Sequence, residues 1–281
     1  MNAVIPADLA ERSEAEALFA LEGAPEHVRA ELGMAARRLG GGVVLSMRDD
    51  PTEFWSKALG FGFDEPVTLD LIEEVCAFYR EQGTPMAVLQ LAPSVLPRDW
   101  AAICAKTGLE ARPSWVKLVC SADDAVARAD AAGRPADGLR VGPVAAEDAD
   151  AWAGAMLRAF GMPEDGALAG MVSAVVGAPD FRPFAAWDGA ELVSTAVLHL
   201  YGGAGQFQAG ATLPHARGRG GQSALLAARA RAAQAAGCRW LVAETGAEGP
   251  GEHNASLHNM LRAGFEVAYE RQNWVWRAER E

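Results

Sequence analysis

The chain is poor in cysteine, in positive charge and in long apolar runs. Its 4 cysteines, Cys76, Cys104, Cys120 and Cys238, are widely spaced and form no Cys-x-x-Cys pair. That spacing argues against a disulfide scaffold or a metal framework, so no metal is expected. The cysteines read as small buried hydrophobes in a reducing compartment. Lysine and arginine total 25 against 37 acidic residues, a formal net charge of −12. Such a balance argues against nucleic acid as a partner, because that binding relies on neutralising phosphates. It is compatible with a cationic acceptor such as an amine. Met1 to Ser13 lacks the basic start and apolar run of a secretory signal. No apolar stretch is long enough to span a bilayer. A cytoplasmic location without a membrane partner is the expectation, and the sequence leaves a homodimer open.

What is present is a folded composition over 281 residues, 50% of them hydrophobic and 22% charged, enough for two ordinary domains. One stretch concentrates the chemistry. Gln206 to Leu213 has the small and β-branched character of a strand end, and Pro214 cannot continue a central strand. Arg217-Gly-Arg-Gly-Gly221 follows, then an alanine- and leucine-rich helix from Gln222 to Ala236, stopped at Gly237. The first amides of a helix have no intrahelical partner, and the helix dipole places partial positive charge there. Gly218, Gly220 and Gly221 leave the backbone open to a phosphate, and Arg217 and Arg219 add full charges. The glycine spacing does not fit a dinucleotide turn, and no lysine is present for a nucleoside-triphosphate loop.

Arg217-Gly-Arg-Gly220 resembles the Arg/Gln-x-x-Gly-x-Gly/Ala turn of the GCN5-related N-acetyltransferases. Thr212-Leu-Pro, the strand Arg239–Thr245, and Asn254 through Gly264-Phe265 extend the resemblance over roughly the last 140 residues. Gln222 departs from the family's final Gly/Ala. The resemblance implies an α/β fold with a mixed sheet and acetyl-CoA as cosubstrate. It implies a coenzyme site from Thr212, Leu213, Arg217, Gly218, Arg219, Gly220, Gly221, Gln222, Ser223 and Asn254. The activity implied is N-acetyl transfer to a small-molecule amine. An acyl-CoA-binding sensor or interaction module without catalysis is the alternative.

The first half echoes the second. Thr107-Gly-Leu-Glu-Ala-Arg followed by Trp115-Val-Lys-Leu parallels Ala263-Gly-Phe-Glu-Val-Ala followed by Trp274-Val-Trp-Arg. Helices are predicted over Pro6–Leu21, Pro25–Leu39, Leu69–Gln82 and Asp99–Lys106, and strands over Val43–Met47, Glu53–Phe63, Met86–Leu91 and Trp115–Cys120. Asp64-Glu-Pro-Val precedes the helix that corresponds to the phosphate-binding one, and its carboxylates would repel a diphosphate. The expectation is therefore two tandem domains of the family's type. Residues 1–120 form a degenerate one, 121–137 a linker that is in part helical, and 138–281 the acetyltransferase domain.

In the second half, Asp188-Gly189 predicts a hairpin between Phe181–Trp187 and Glu191–Leu200. Phe265–Glu270 and Asn273–Arg277 read as a closing strand pair. The family's usual glutamate base has no counterpart, because the strand before the turn offers only Gln206 and Gln208. Glu244 on the next strand is the candidate base, against a reading as an ion-paired strand-end carboxylate. Met260 stands where the family has a tyrosine acid, and Tyr201 and Tyr269 lie elsewhere. His253 and His258 could relay a proton, and Asn259 could anchor the last helix in place of Asn254.

Overall fold

The computed structural model describes residues 5–133 and 138–278. It opens with α1 (Ala7–Phe19), a 3-10 turn over Ala20–Gly23, and α2 (Glu26–Leu32). Gly33 ends α2 at φ +59°, a left-handed conformation that glycine adopts without strain. The helix expected to reach Leu39 therefore stops early, and β1 (Met34–Leu39) follows. Helix preference is weak beside pairing with β2 (Gly42–Met47), which runs from Met34 opposite Met47 to Leu39 opposite Gly42. The strand expected over Glu53–Phe63 shrinks to β3 (Lys57–Leu59). Asp50 accepts from the amides of Thr52, Phe54 and Trp55 and holds that approach as a loop. Next come α3 (Leu69–Gln82), β4 (Met86–Gln90), α4 (Trp100–Thr107) and β5 (Glu110–Ser121).

The segment expected as a linker forms α5 (Ala122–Ala132), capped by Ser121 Oγ accepting from the Asp124 amide at 3.1 Å. Its small buried Ala122 and Ala125 join the core shared with α8. Arg134 to Asp137 of that expected linker lie outside the described residues.

The second half runs β6 (Arg140–Pro143), α6 (Ala149–Phe160), α7 (Gly166–Ser173), β7 (Phe181–Asp188) and β8 (Glu191–Tyr201). It continues with β9 (Ala204–Thr212), α8 (Gly221–Ala235), β10 (Trp240–Gly246), α9 (Ala255–Arg262) and β11 (Glu266–Arg277). Gly205 belongs to β9 and seats α8 on the sheet, since a Cβ there would lie 2.9 Å from that of Ala233. The expected closing pair is a single strand. No turn residue separates Glu270 from Asn273, and irregularities at Val267/Tyr269 and Arg271/Asn273 bend it instead.

All these strands form one 11-stranded sheet in the order β1-β2-β3-β4-β11-β5-β10-β9-β8-β7-β6. Pairing is antiparallel except at β3/β4 and β9/β10, which are parallel and occupy equivalent places in the two halves. The halves exchange their last strands. Trp115–Ser121 of β5 pairs with β10, and Asn273–Arg277 of β11 pairs with β4. Trp115 and Trp274, the tryptophans of the sequence echo, each lie in the strand that crosses into the opposite half. Separate apolar cores pack under α8, around α3, and around α6 and α7. Among the described residues, no helix is long and apolar enough to cross a membrane.

Candidate active site

Gly220 opens α8 at φ +80° with no side-chain cap. The first α8 amide with an intrahelical acceptor is that of Ala224, which donates to Gly220 O at 2.9 Å. Among the described residues, the amides of Gly218, Gly220, Gly221, Gln222 and Ser223 have no acceptor in the chain. Unpaired amides at a helix start suit an anion. The Leu213 amide differs: it donates to Val193 O at 2.9 Å and is committed to the sheet. Gly221 packs so closely on β8 that a Cβ would lie 2.7 Å from Ser194 Oγ, while Ser194 Oγ donates to Thr212 Oγ1 at 3.0 Å. Arg219 pairs with Asp188 on the β7–β8 hairpin, and Arg217 Nε donates to Thr212 O at 3.2 Å. In the first half, Thr68 Oγ1 caps α3 by accepting from the Leu71 amide, and Asp64 pairs with Arg12 at 2.5 Å. That helix start differs from α8 in its side-chain cap and in the carboxylate beside it.

A cavity of about 460 Å³ lies between the halves. Gln222, Ser256 and Met260 line it from α8 and α9. Trp152, Met156 and Phe181 form an apolar wall, and Glu14, Trp55 and Lys57 come from the first half. Arg229 also lines it, buried, with Nη1 donating to Val197 O and Gln208 O at 3.1 and 3.3 Å. These bonds fasten α8 to the irregular β8–β9 pairing, where Ala209 has φ +50°. Burial pushes the Arg229 guanidinium down to about 9.

Glu244 faces this cavity within a buried charge cluster. Its Oε1 accepts from Gln206 Nε2 at 2.8 Å, and its Oε2 lies 3.3 Å from Lys117 Nζ. Gln206, on the strand that lacks a glutamate base, also accepts from Ser13 Oγ at 2.9 Å. Lys117 reaches Glu14 at 2.5 Å. Arg271 spans Glu11 and Glu14 at 2.5 and 2.7 Å, and Tyr269 donates to Glu11 at 2.6 Å. Burial, then the charge of Glu14, pushes the Glu244 carboxyl up to about 7, against the pull of Lys117 and Arg271. Burial also opposes the charge of Glu14, but Arg271 and Lys117 outweigh it and hold that carboxyl well below its usual range. Tyr269 is pushed well up by burial and by Glu11. Sequence reasoning reached Glu244 but not Glu11, Glu14, Lys57, Lys117 or Arg271. The available signals were a lysine flanked by Val116 and Leu118 in a strand, and carboxylates three apart on α1.

The α9 side is tightly tied. Asn254 Oδ1 accepts from the amides of Ser256 and Leu257, while Nδ2 donates to Thr245 Oγ1 and Gly246 O at 3.0 and 2.8 Å. The side chain is thus the α9 cap and a clip to β10. Gln222 spans from α8 to α9, donating to Ser256 Oγ at 3.0 Å and accepting from Asn259. A Gly or Ala at 222 could not make that bridge. Met260 is buried against the cavity. His253 and His258 stack at 4.5 Å beside Glu248, away from the Glu244 cluster.

One pattern occurs in each half: paired helices, an antiparallel meander, a parallel strand pair and an exchanged last strand. No protein-family model and no curated protein matches this sequence. Solved structures do match. A GCN5-related N-acetyltransferase from Kribbella flavida is 17% identical with a TM-score of 0.59, covering 96% of each chain. A tandem GNAT protein from the clavulanic acid biosynthesis pathway is 16% identical with a TM-score of 0.60, covering 97% of each. A GCN5-related N-acetyltransferase from Sphaerobacter thermophilus is 16% identical with a TM-score of 0.56, covering 98% of this chain and 94% of its own. The chain has the tandem GCN5-related N-acetyltransferase fold.

Proposed function

We propose that the protein transfers an acetyl group from acetyl-CoA to the nitrogen of a small-molecule amine. The observation that carries this reading is a cavity that meets the start of α8 at Gln222, one of the residues with an open amide, and that the buried Glu244 also lines. The amides of Gly218, Gly220, Gly221, Gln222 and Ser223, with Arg217 and Arg219, would hold the diphosphate. Asn254 keeps α9 in register beside them. The cosubstrate would supply an activated acyl group. Glu244 would take the surplus proton of the acceptor ammonium, with Gln206 fixing the orientation of its carboxylate. The apolar wall excludes water that would compete for the acyl group.

Residues 1–120 are proposed as a degenerate domain that closes the acceptor side of the cavity, and residues 138–281 as the coenzyme-binding domain. The test is coenzyme-A release from acetyl-CoA across a panel of amines, with the acetylated product identified by mass. Turnover with at least one amine is expected. Coenzyme binding with no turnover on any amine would favour a sensor.

A further inference from the structure

The cavity wall supplied by the first half carries a cation with no carboxylate partner among the described residues. Lys57 is 4% exposed, and among the described residues no carboxylate lies within ion-pair distance of it. Its Nζ instead stands 3.9 Å from the centre of the Phe54 ring and 5.1 Å from that of Trp115. Aromatic faces stabilise an ammonium but leave its N–H groups unbonded. Phe54, Trp55, Lys57 and Trp115 all line the cavity. Burial pushes the Lys57 ammonium down to about 8, against the attraction of Glu14. A cation held in an apolar cavity wall without an anionic partner is costly, so it marks where a ligand can supply one.

The acids nearby do not fill this role. Glu14 is engaged by Lys117 and Arg271, and Glu244 by Lys117 and Gln206. Around them the cavity is apolar and aromatic, with Trp152, Met156 and Phe181 on one side. Lys57 comes from the first half, whereas the open amides belong to α8 of the second.

Resting on the acyl-transfer reading, we infer that the amine acceptor is an amino acid with an apolar side chain, its carboxylate received by Lys57. A carboxylate supplies the acceptors that the Lys57 ammonium, lying over two ring faces, lacks. Its amino group is left for Glu244, and its apolar side chain for the aromatic wall. The reaction then forms an amide N–C bond and breaks the thioester C–S bond. Glu244 takes the proton of the ammonium, and the second proton lost by the nitrogen goes to the departing sulfur, so that the coenzyme leaves as thiol.

The test pairs acceptors that differ only in the carboxylate: L-phenylalanine with phenethylamine, and L-leucine with 3-methylbutylamine. In the wild type the carboxylate member of a pair is expected to show at least about tenfold higher kcat/KM, the scale of one charge-assisted contact. Lys57→Met should collapse that ratio toward one, and Lys57→Arg should restore part of it. A ratio near one in the wild type, or one unchanged in Lys57→Met, would overturn the assignment. A Lys57-dependent preference for succinyl-CoA over acetyl-CoA would also overturn it, by moving the carboxylate to the donor.

A binding arm separates this proposal from the activity itself. Intrinsic tryptophan fluorescence should report 3-phenylpropionate binding at least about tenfold tighter than 3-phenylpropanol, with the difference lost in Lys57→Met. Equal binding of the two in the wild type rejects the anion site even if amines turn over. The expected difference without turnover on any amine would count against acyl transfer but not against the anion site.

Discussion

Glu244→Gln is expected to lower acetyl-transfer turnover by roughly 10²- to 10⁴-fold, the range for loss of a general base. Acetyl-CoA affinity should stay within about threefold, because the variant leaves the open α8 amides untouched. The substitution keeps the shape and can still accept from Gln206 Nε2, so the Gln206 contact survives. It removes the one carboxylate of the cluster that burial and Glu14 push up to about 7 while it faces the cavity. A base must be ionised to work, so wild-type turnover should rise with pH through about 7 and then level off. The ratio of wild type to variant, measured across pH, separates Glu244 from the ionisation of the amine itself. Wild-type turnover in Glu244→Gln at every pH would remove the residue from the mechanism and leave deprotonation to water or substrate.

Arg271→Leu is expected to cost about 3–5 kcal/mol of folding stability, the scale for stripping one partner from a buried ion pair. The guanidinium joins Glu11 and Glu14 of the first helix to the last strand and is 1% exposed. Without it, Glu14 keeps Lys117, and Glu11 keeps Tyr269 with a distant Lys117 at 3.8 Å. Urea unfolding at a series of pH values reads both the loss and its origin. The folded-state value of Glu14 lies below its ordinary 4.5. Its contribution is therefore present above about 4.5 and is lost as pH falls toward the folded value. Glu244 has the opposite sign. Its folded value is raised, so the folded state binds the proton more tightly and stability declines as pH rises from 4.5 to about 7. Arg271→Leu should flatten the acid-side gain, and Glu244→Gln should flatten the decline toward neutrality. A loss below about 1 kcal/mol in Arg271→Leu would mean that the cluster does not hold the halves together.

Local patterns carried much of the fold. Thr68, Leu71 to Tyr79 and Gly83 declare α3 through a cap, an apolar face and a left-handed stop. Asp188-Gly189 declares the β7–β8 hairpin, and the Trp115 and Trp274 segments disclose the repeat. What stayed hidden depends on partners distant in sequence. Met34 to Leu39 is a strand because β2 lies beside it. β11 is one strand because its two ends pair with β5 and β4, an exchange that the spacing of residues within either half does not encode. The site divides in the same way. The glycine-arginine turn is contiguous and could be read directly. The charge cluster gathers Glu11, Glu14, Lys117, Glu244 and Arg271 from α1, β5, β10 and β11, so only folding brings it together. Gln222, a departure from the resembling family, has a local cause that the structure supplies in its bridge to Ser256 and Asn259.

Titration of acetyl-CoA into the purified protein by calorimetry tests most directly the claim that α8 of the second half is the coenzyme site. The account predicts one site per chain, because the α3 start is capped by Thr68 and flanked by Asp64. Arg219→Glu sets a second carboxylate against Asp188 beside the open amides, and binding should weaken at least about tenfold. Two sites per chain, no binding by the wild type, or unchanged affinity in Arg219→Glu would contradict it.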